Sequence, residues 1–227
     1  MNPKHTAPAK APAPPLPAFH PTEHSYVEAL LERYQALYHY ADGRIDYSLS
    51  ESAPVVTVYV KYHHRLLTLL RSDKVSTYQG KWNTVAGYID EVKSVRDFAL
   101  QELWEETGIT EQQILGMGFG EPFSFTDDEI SKTWITHPVL VELKSMPVVL
   151  LDFEHTQQRW AKPEELAALD AVPNFSVGFE KLMVSIAAQH AKVMNKKHTV
   201  TVRGDASRAP EQKAKKQKRK KQANAAQ

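Results

Sequence analysis

The stretch Gly87-Tyr-Ile-Asp-Glu-Val-Lys93-Ser-Val-Arg-Asp-Phe-Ala-Leu-Gln101-Glu102-Leu103-Trp-Glu105-Glu106-Thr-Gly108-Ile109 decides how the rest of the chain is read. Its second half has helical character over residues 94–107. Ser94 is a capping residue, Asp97 three positions on completes a variant of the capping box, and Gly108 stops the helix. At about 100° per residue, Glu102, Glu105 and Glu106 share one arc about 100° wide. Ala99, Leu100, Leu103 and Trp104 occupy another. The spacing therefore predicts an apolar side against a sheet and an acidic side on a cleft. Three carboxylates so close repel one another unless a cation joins them. Clustered carboxylate oxygens suit hard divalent ions, and Mg²⁺ shares its shell with phosphates and water. The chemistry this predicts is metal-assisted attack on a phosphate compound. The bland alternative is a solvated acidic face.

Working outward, residues 54–71 read as a β-hairpin. Val55, Val56, Val58 and Val60 form one arm, Leu66-Leu67-Thr68-Leu69-Leu70 the other, and His63-His64 a solvated turn rather than a metal site. Residues 72–93 read as a long loop with a short strand near 83–86. Further strands are expected over 114–123, 132–143 and 157–160. Pro163 opens a short helix through 169, and a last helix covers 176–193. Upstream, Tyr26, Val27, Leu30, Leu31, Tyr34, Leu37 and Tyr38 recur at helical steps, which predicts a helix of about four turns over 23–40 ended by Asp42-Gly43. Packing on the main domain is the expected role of that helix, and dimerisation the alternative.

The ends differ in kind. Residues 1–22 are rich in Pro and Ala and predict a disordered arm. From Lys213 onward there are seven basic residues and no acid, so the chain's net +1 hides a body of −6. The 227 residues, 42% apolar and 24% charged, exclude wholesale disorder. No apolar run approaches the length of a membrane helix, and nothing reads as a signal peptide. The absence of Cys excludes disulfides, thiolate nucleophiles and cysteine metal sites, and a cytoplasmic location is the simplest expectation. The organisation predicted is an arm over 1–22, a helical extension over 23–48, a catalytic domain over 49–193 and a basic disordered tail over 194–227.

The stretch quoted first resembles the Nudix box, G-x5-E-x7-R-E-U-x-E-E-x-G-U with U a bulky aliphatic. Gly87, Glu102, Leu103, Glu105, Glu106, Gly108 and Ile109 match in register, seven of the nine specified positions. The resemblance covers roughly residues 54–188. It implies an α/β fold, the Nudix α/β/α sandwich with a mixed sheet. It also implies Mg²⁺- or Mn²⁺-dependent hydrolysis of a diphosphate linked to another moiety, usually nucleoside-derived. Glu105 and Glu106 would be the main metal ligands, Glu102 a ligand or the general base, and the carbonyl of Ala86 a further ligand. A late-loop carboxylate is also expected. Glu154 is the best candidate, with Glu129 as its rival.

Two positions depart from the pattern. Lys93 stands where Glu belongs and Gln101 where Arg belongs. Gln101 can hydrogen-bond but not carry charge. Lys93 has Glu91, Asp97 or a helix carboxylate as candidate partners, and metal binding is expected to survive. The flanking segments 71–82, 151–156 and 171–173 resemble a Nudix subgroup of mostly unassigned substrate. There Arg71, Lys74 and Lys81 are candidates to meet phosphates. Tyr78 and Trp82 are candidates either to stack on a base or simply to pack the loop. The isopentenyl-diphosphate isomerase reading of the same fold is rejected, because that chemistry leans on a Cys. A catalytically weak or silent Nudix domain that binds nucleotide or RNA is the rival from another class. The basic tail offers it a weak nucleic-acid contact, against a plain solvated end. No membrane partner is expected, and the oligomeric state is open.

Overall fold

A computed structural model describes the backbone of residues 15–206 and the side chains of 15–194. The chain divides into two compact units, Met1–Leu182 and Met183–Gln227. The first holds the sheet, the helices that cover it and the whole candidate site.

The apolar β-branched run becomes the central strand β1 (Ser52–Tyr62), followed by β2 (Arg65–Arg71) across the exposed turn His63-His64, with His63 at φ 52. Next come β3 (Trp82–Asn83), β4 (Val85–Tyr88), α2 (Val95–Thr107), β5 (Ile114–Phe119), β6 (Phe123–Asp127), β7 (Lys132–Leu143) and β8 (His155–Ala161). α1 (His24–Leu31) precedes them and α3 (Phe175–Ala206) closes the described chain. β1 and β7 run parallel, from Ser52 beside Thr133 to Lys61 beside Glu142. The other strand pairings are antiparallel, so the sheet is mixed.

Side chains on a strand alternate between its two faces. Val56, Val58 and Val60 of β1 enter the main core, while Val55, Thr57 and Tyr59 line a cleft on the other face. Val95, Phe98, Ala99 and Leu103 of α2 and Tyr26, Val27, Leu30 and Leu31 of α1 join that core. On the cleft face the first turns of α3 approach β1. Tyr59 Oη donates to the carbonyl of Phe175 at 2.8 Å, and a Cβ on Gly178 would stand 2.5 Å from that hydroxyl. Helices thus cover both faces of the sheet.

α2 starts and stops as its sequence predicts. Ser94 Oγ accepts from the backbone N–H of Asp97 at 3.1 Å. Gly108 takes φ 69 and donates to Trp104 O at 2.8 Å. Asp97 is one methylene shorter than Glu, and its carboxylate takes the Ser94 hydroxyl at 2.7 Å rather than the backbone.

Several boundaries differ from expectation. The N-terminal helix ends at Leu31 and tightens into a 3₁₀ turn, Glu32–Tyr34. Tyr34 is buried and Leu37 still packs against the core; Tyr38 and Tyr40 are exposed, and Asp42-Gly43 turns the chain so that His39 bridges Ile45. α1 is nevertheless packed down, with Tyr26 Oη 2.7 Å from buried His137 Nε2. Leu16 and Phe19, placed in the arm, pack against the core instead, Phe19 edge-on to Tyr26 at 5.1 Å. The strand expected over 114–123 is two, because Gly120 fits tightly beneath Pro138 and Leu182 and Pro122 cannot donate to a ladder. The helix opened by Pro163 is 3₁₀, Pro163–Ala168. The backbone of α3 stays helical to Ala206, past the expected end at 193. The expectations for residues 1–14 and 207–227, including the basic run, lie outside the described residues. Among the described residues, no helix is long and apolar enough to cross a membrane.

Candidate functional site

The acidic residues of α2 do not lie on a face of their own. Val95, Phe98, Ala99, Leu103 and Glu106 are buried on one stripe, and Trp104, expected against the sheet, is 60% exposed. The predicted apolar arc is therefore buried through Ala99 and Leu103 while Trp104 turns outward, and the predicted acidic arc is buried at Glu106. Two glutamates are pressed toward the end of β4, and the third, Glu105, stays exposed.

Glu106 lies deepest. Its Oε1 accepts the backbone N–H of Ala86 at 3.0 Å, and its Oε2 has no hydrogen-bond partner. Burial first, then Glu102, Glu154 and Asp152, push its carboxyl well above the usual range against the pull of the Ala86 N–H. Glu102 lies over Gly87. A Cβ there would meet the Glu102 carboxyl carbon at 2.1 Å, so glycine is what lets the carboxylate seat against β4. Burial, then Glu105, Glu154 and Asp90, lift Glu102 to about 8, with Lys93 acting against them. Glu154 lines the cleft beside β4 and is itself raised by burial and Asp152 against Arg71. The fold thus draws Glu154 toward Glu102 and Glu106. Glu129 sits elsewhere, its backbone N–H tied to Asp127 beyond the end of β6. Leu103 and Ile109 are buried core residues, and Gly108 is the left-handed stop.

The departures Lys93 and Gln101 meet each other. Lys93 Nζ is 2.5 Å from Gln101 Oε1 and 2.5 Å from Glu91 Oε1, and Gln101 Nε2 donates to Glu105 Oε1 at 3.0 Å. A cation on the loop is passed through an amide to the exposed glutamate.

The cleft beside the carboxylates has a volume of about 330 Å³. Arg71 and Lys74 line its edge, Arg71 Nε held by the carbonyl of Thr77 at 3.0 Å. Tyr78 forms part of the wall, but its hydroxyl is committed. It donates to Asp127 Oδ2 at 2.7 Å and accepts from Trp134 Nε1 at 2.9 Å, with Tyr78 at φ 55. Lys81 and Trp82 do not line the cleft. Lys81 pairs with Asp170 at 2.5 Å, and Trp82 extends the β2 edge, its backbone bonded to Asp170 and Val172. The sequence reading missed Tyr88, Phe123, Phe125, Trp134 and Phe153, which supply the aromatic lining. For Phe123 and Phe125 the signal was present, as two-residue alternation on β6.

Among the described residues, no three His, Asp or Glu side chains are gathered closely enough to complete a metal shell alone. Mg²⁺ and its relatives commonly take one or two carboxylates and complete their shell with water and substrate phosphates. A buried, unpartnered carboxylate oxygen beside further raised carboxylates fits that kind of shared shell.

The raised Glu102 has a thermodynamic consequence. In the metal-free protein it keeps its proton to about pH 8, whereas the unfolded chain releases it near 4.5. The folded state binds more protons in between, so stability falls as pH rises through this window and levels off above it. Buried His137, held down to about 4, acts oppositely below its ordinary value of 6.5, which leaves pH 6.5–8 as the informative interval. The urea midpoint of metal-free protein is expected to drop between pH 6.5 and 8.5 and to recover on adding Mg²⁺. A midpoint that rises over that interval contradicts the assignment.

The NUDIX domain model matches residues 51–181. A MutT protein from Methanosarcina mazei Go1 is 24% identical and aligns over 58% of this chain and 92% of its own, with a TM-score of 0.48. A C. elegans Ap4A hydrolase is 17% identical over 60% and 98%, also at 0.48. A bifunctional NMN adenylyltransferase/ADP ribose pyrophosphatase from Francisella tularensis, complexed with AMP and a Mn ion, is 13% identical over 71% and 45%, at 0.50. No curated protein matches the chain. With more than half of its length matched by the family model, and with the box residues assembled on α2 and β4 as described, the chain belongs to the NUDIX domain family, a family of pyrophosphohydrolases acting on acid anhydrides.

Proposed function

We propose that this protein is a Mg²⁺- or Mn²⁺-dependent hydrolase that cleaves the diphosphate linkage of a nucleoside diphosphate derivative. The observation that carries the reading is Glu106, buried and bonded to Ala86 through one oxygen, with the other oxygen without a hydrogen bond and with Glu102 and Glu154 close enough to raise its carboxyl. A buried carboxylate left half-bonded costs free energy that a structural role does not repay, and a cation repays it.

Glu106, Glu105 and Glu154 would hold the metal, together with the backbone of Ala86. The ion would neutralise diphosphate charge and lower the barrier to attack by water. Glu102, seated over Gly87 beside these carboxylates, would take the proton from that water once the cation's charge has drawn its own carboxyl back toward the ionised form. Arg71 and Lys74, at the edge of the cleft, would bind the phosphate oxygens. The aromatic lining formed by Tyr88, Phe123, Phe125 and Trp134 suits the flat face of a nucleobase. The relay from Lys93 through Gln101 to Glu105 favours an active enzyme over a silent binding domain, because it returns a cation to the carboxylate cluster where the box Arg is missing.

The test is product release from nucleoside triphosphates, ADP-ribose, dinucleoside polyphosphates, NADH and capped RNA, with Mg²⁺ and with Mn²⁺. A Glu105→Gln/Glu106→Gln protein is the control. Turnover of one compound, lost in the control, is the expected result. Silence across the panel with no divalent ion bound in calorimetry would overturn the reading.

A further inference from the structure

Glu106 is not alone in having a bare buried atom. Its Oε2 lies 3.6 Å from Nε2 of His155, the first residue of β8, and neither atom has a hydrogen-bond partner. Both side chains are sealed from solvent, 4% and 1% exposed. The remaining atom of each is committed. Glu106 Oε1 takes the Ala86 N–H, and His155 Nδ1 stands 3.2 Å from Asp152 Oδ1. A carboxylate at Nδ1 holds the proton there and leaves Nε2 with a lone pair. Two buried polar atoms then face each other with no hydrogen bond between them, which is unfavourable unless something joins them. Their separation exceeds hydrogen-bond length. An imidazole braced by a carboxylate on one nitrogen and bare on the other is the usual arrangement of a metal-ligating histidine.

We infer that His155 is a nitrogen ligand, beside Glu106, to the divalent cation of this site. The inference rests on the hydrolase reading above and adds to it a ligand outside the box. It also predicts metal choice. Imidazole is a borderline donor that first-row transition ions accept and Mg²⁺ takes poorly, so the site favours the former. Asp152 becomes a positioning residue, acting through His155.

Mn²⁺ is the probe, bound to the full chain and read by pulsed paramagnetic resonance. The expected wild-type spectrum carries the nitrogen modulation of a directly bound imidazole. ¹⁵N-labelling of histidine should change it and His155→Asn should remove it. Calorimetry should show Mn²⁺ binding more tightly than Mg²⁺, with the preference reduced about tenfold or more in His155→Asn. Asp152→Asn should weaken Mn²⁺ without abolishing the nitrogen signal. Bound Mn²⁺ without imidazole modulation in the wild type would overturn the inference and leave the hydrolase reading standing, His155 then being a buried structural residue. No Mn²⁺ bound at all would overturn both. The wild-type spectrum decides even if the buried variants fail to fold.

Discussion

Glu106→Gln is expected to lower turnover by about a thousandfold or more while leaving the melting temperature of the metal-free protein unchanged or higher. The magnitude follows from removing an ionised ligand worth several kcal/mol to a charge-neutralising metal, at about 1.4 kcal/mol per factor of ten. The stability follows from what a glutamine finds there. Its carbonyl oxygen can keep the N–H of Ala86, which Glu106 accepts at 3.0 Å. Its amide group can donate toward His155 Nε2, which in the native protein has no partner. The methylene count, the shape and the contact to Ala86 are preserved, a donor toward His155 is gained, and the charge that burial opposes is gone. Turnover assays and a thermal melt of the same preparation check the pair. Retained activity would remove Glu106 from the chemistry, and a fall of many degrees would make it a structural residue.

The position of the box was legible in the sequence because helix, cap and stop are local. Ser94 and Gly108 act on their own backbone neighbours and stand at their expected bonds, while Asp97 closes on the Ser94 hydroxyl. The strand over 132–143 was legible too, but its parallel pairing with β1 was not, because register between distant segments is not written locally. The facing of α2 was not. An angular plot takes charge as a sign of solvent, and here two of the three glutamates lie on the buried stripe because the site needs them against β4. Sequence reasoning of that kind fails where function departs from the burial rule.

Non-local partners were out of reach as well. Lys81 and Trp82 stand close in sequence to the cleft loop, yet the turn at Gly80 carries them to the β2 edge and Asp170. His155 reads as one more polar turn residue beside Glu154. Only β8 beneath α2 reveals that its ring meets Glu106, and no spacing within 151–160 encodes this.

Lys93→Glu is the second large effect expected, a loss of about a hundredfold in turnover, in line with what misplacing a catalytic group by an ångström costs. Native Lys93 Nζ holds Glu91 and Gln101, and Gln101 hands a hydrogen bond to Glu105. The ammonium also opposes the rise of Glu102. A carboxylate in its place would face Glu91 directly, leave the amide of Gln101 to turn toward the new acid, and free Glu105. The cost should be largely repaired in Lys93→Glu/Gln101→Arg. There the cation moves from loop to helix, and a guanidinium can bridge position 93 and Glu105 with two hydrogen bonds. Repair is what separates positioning from mere local stability, since a second charged substitution gives no general reason for a damaged fold to recover. Calorimetric metal affinity should fall and return in step with turnover. If Gln101→Arg rescues neither, Lys93 and Gln101 act separately and the relay through the amide does not position Glu105.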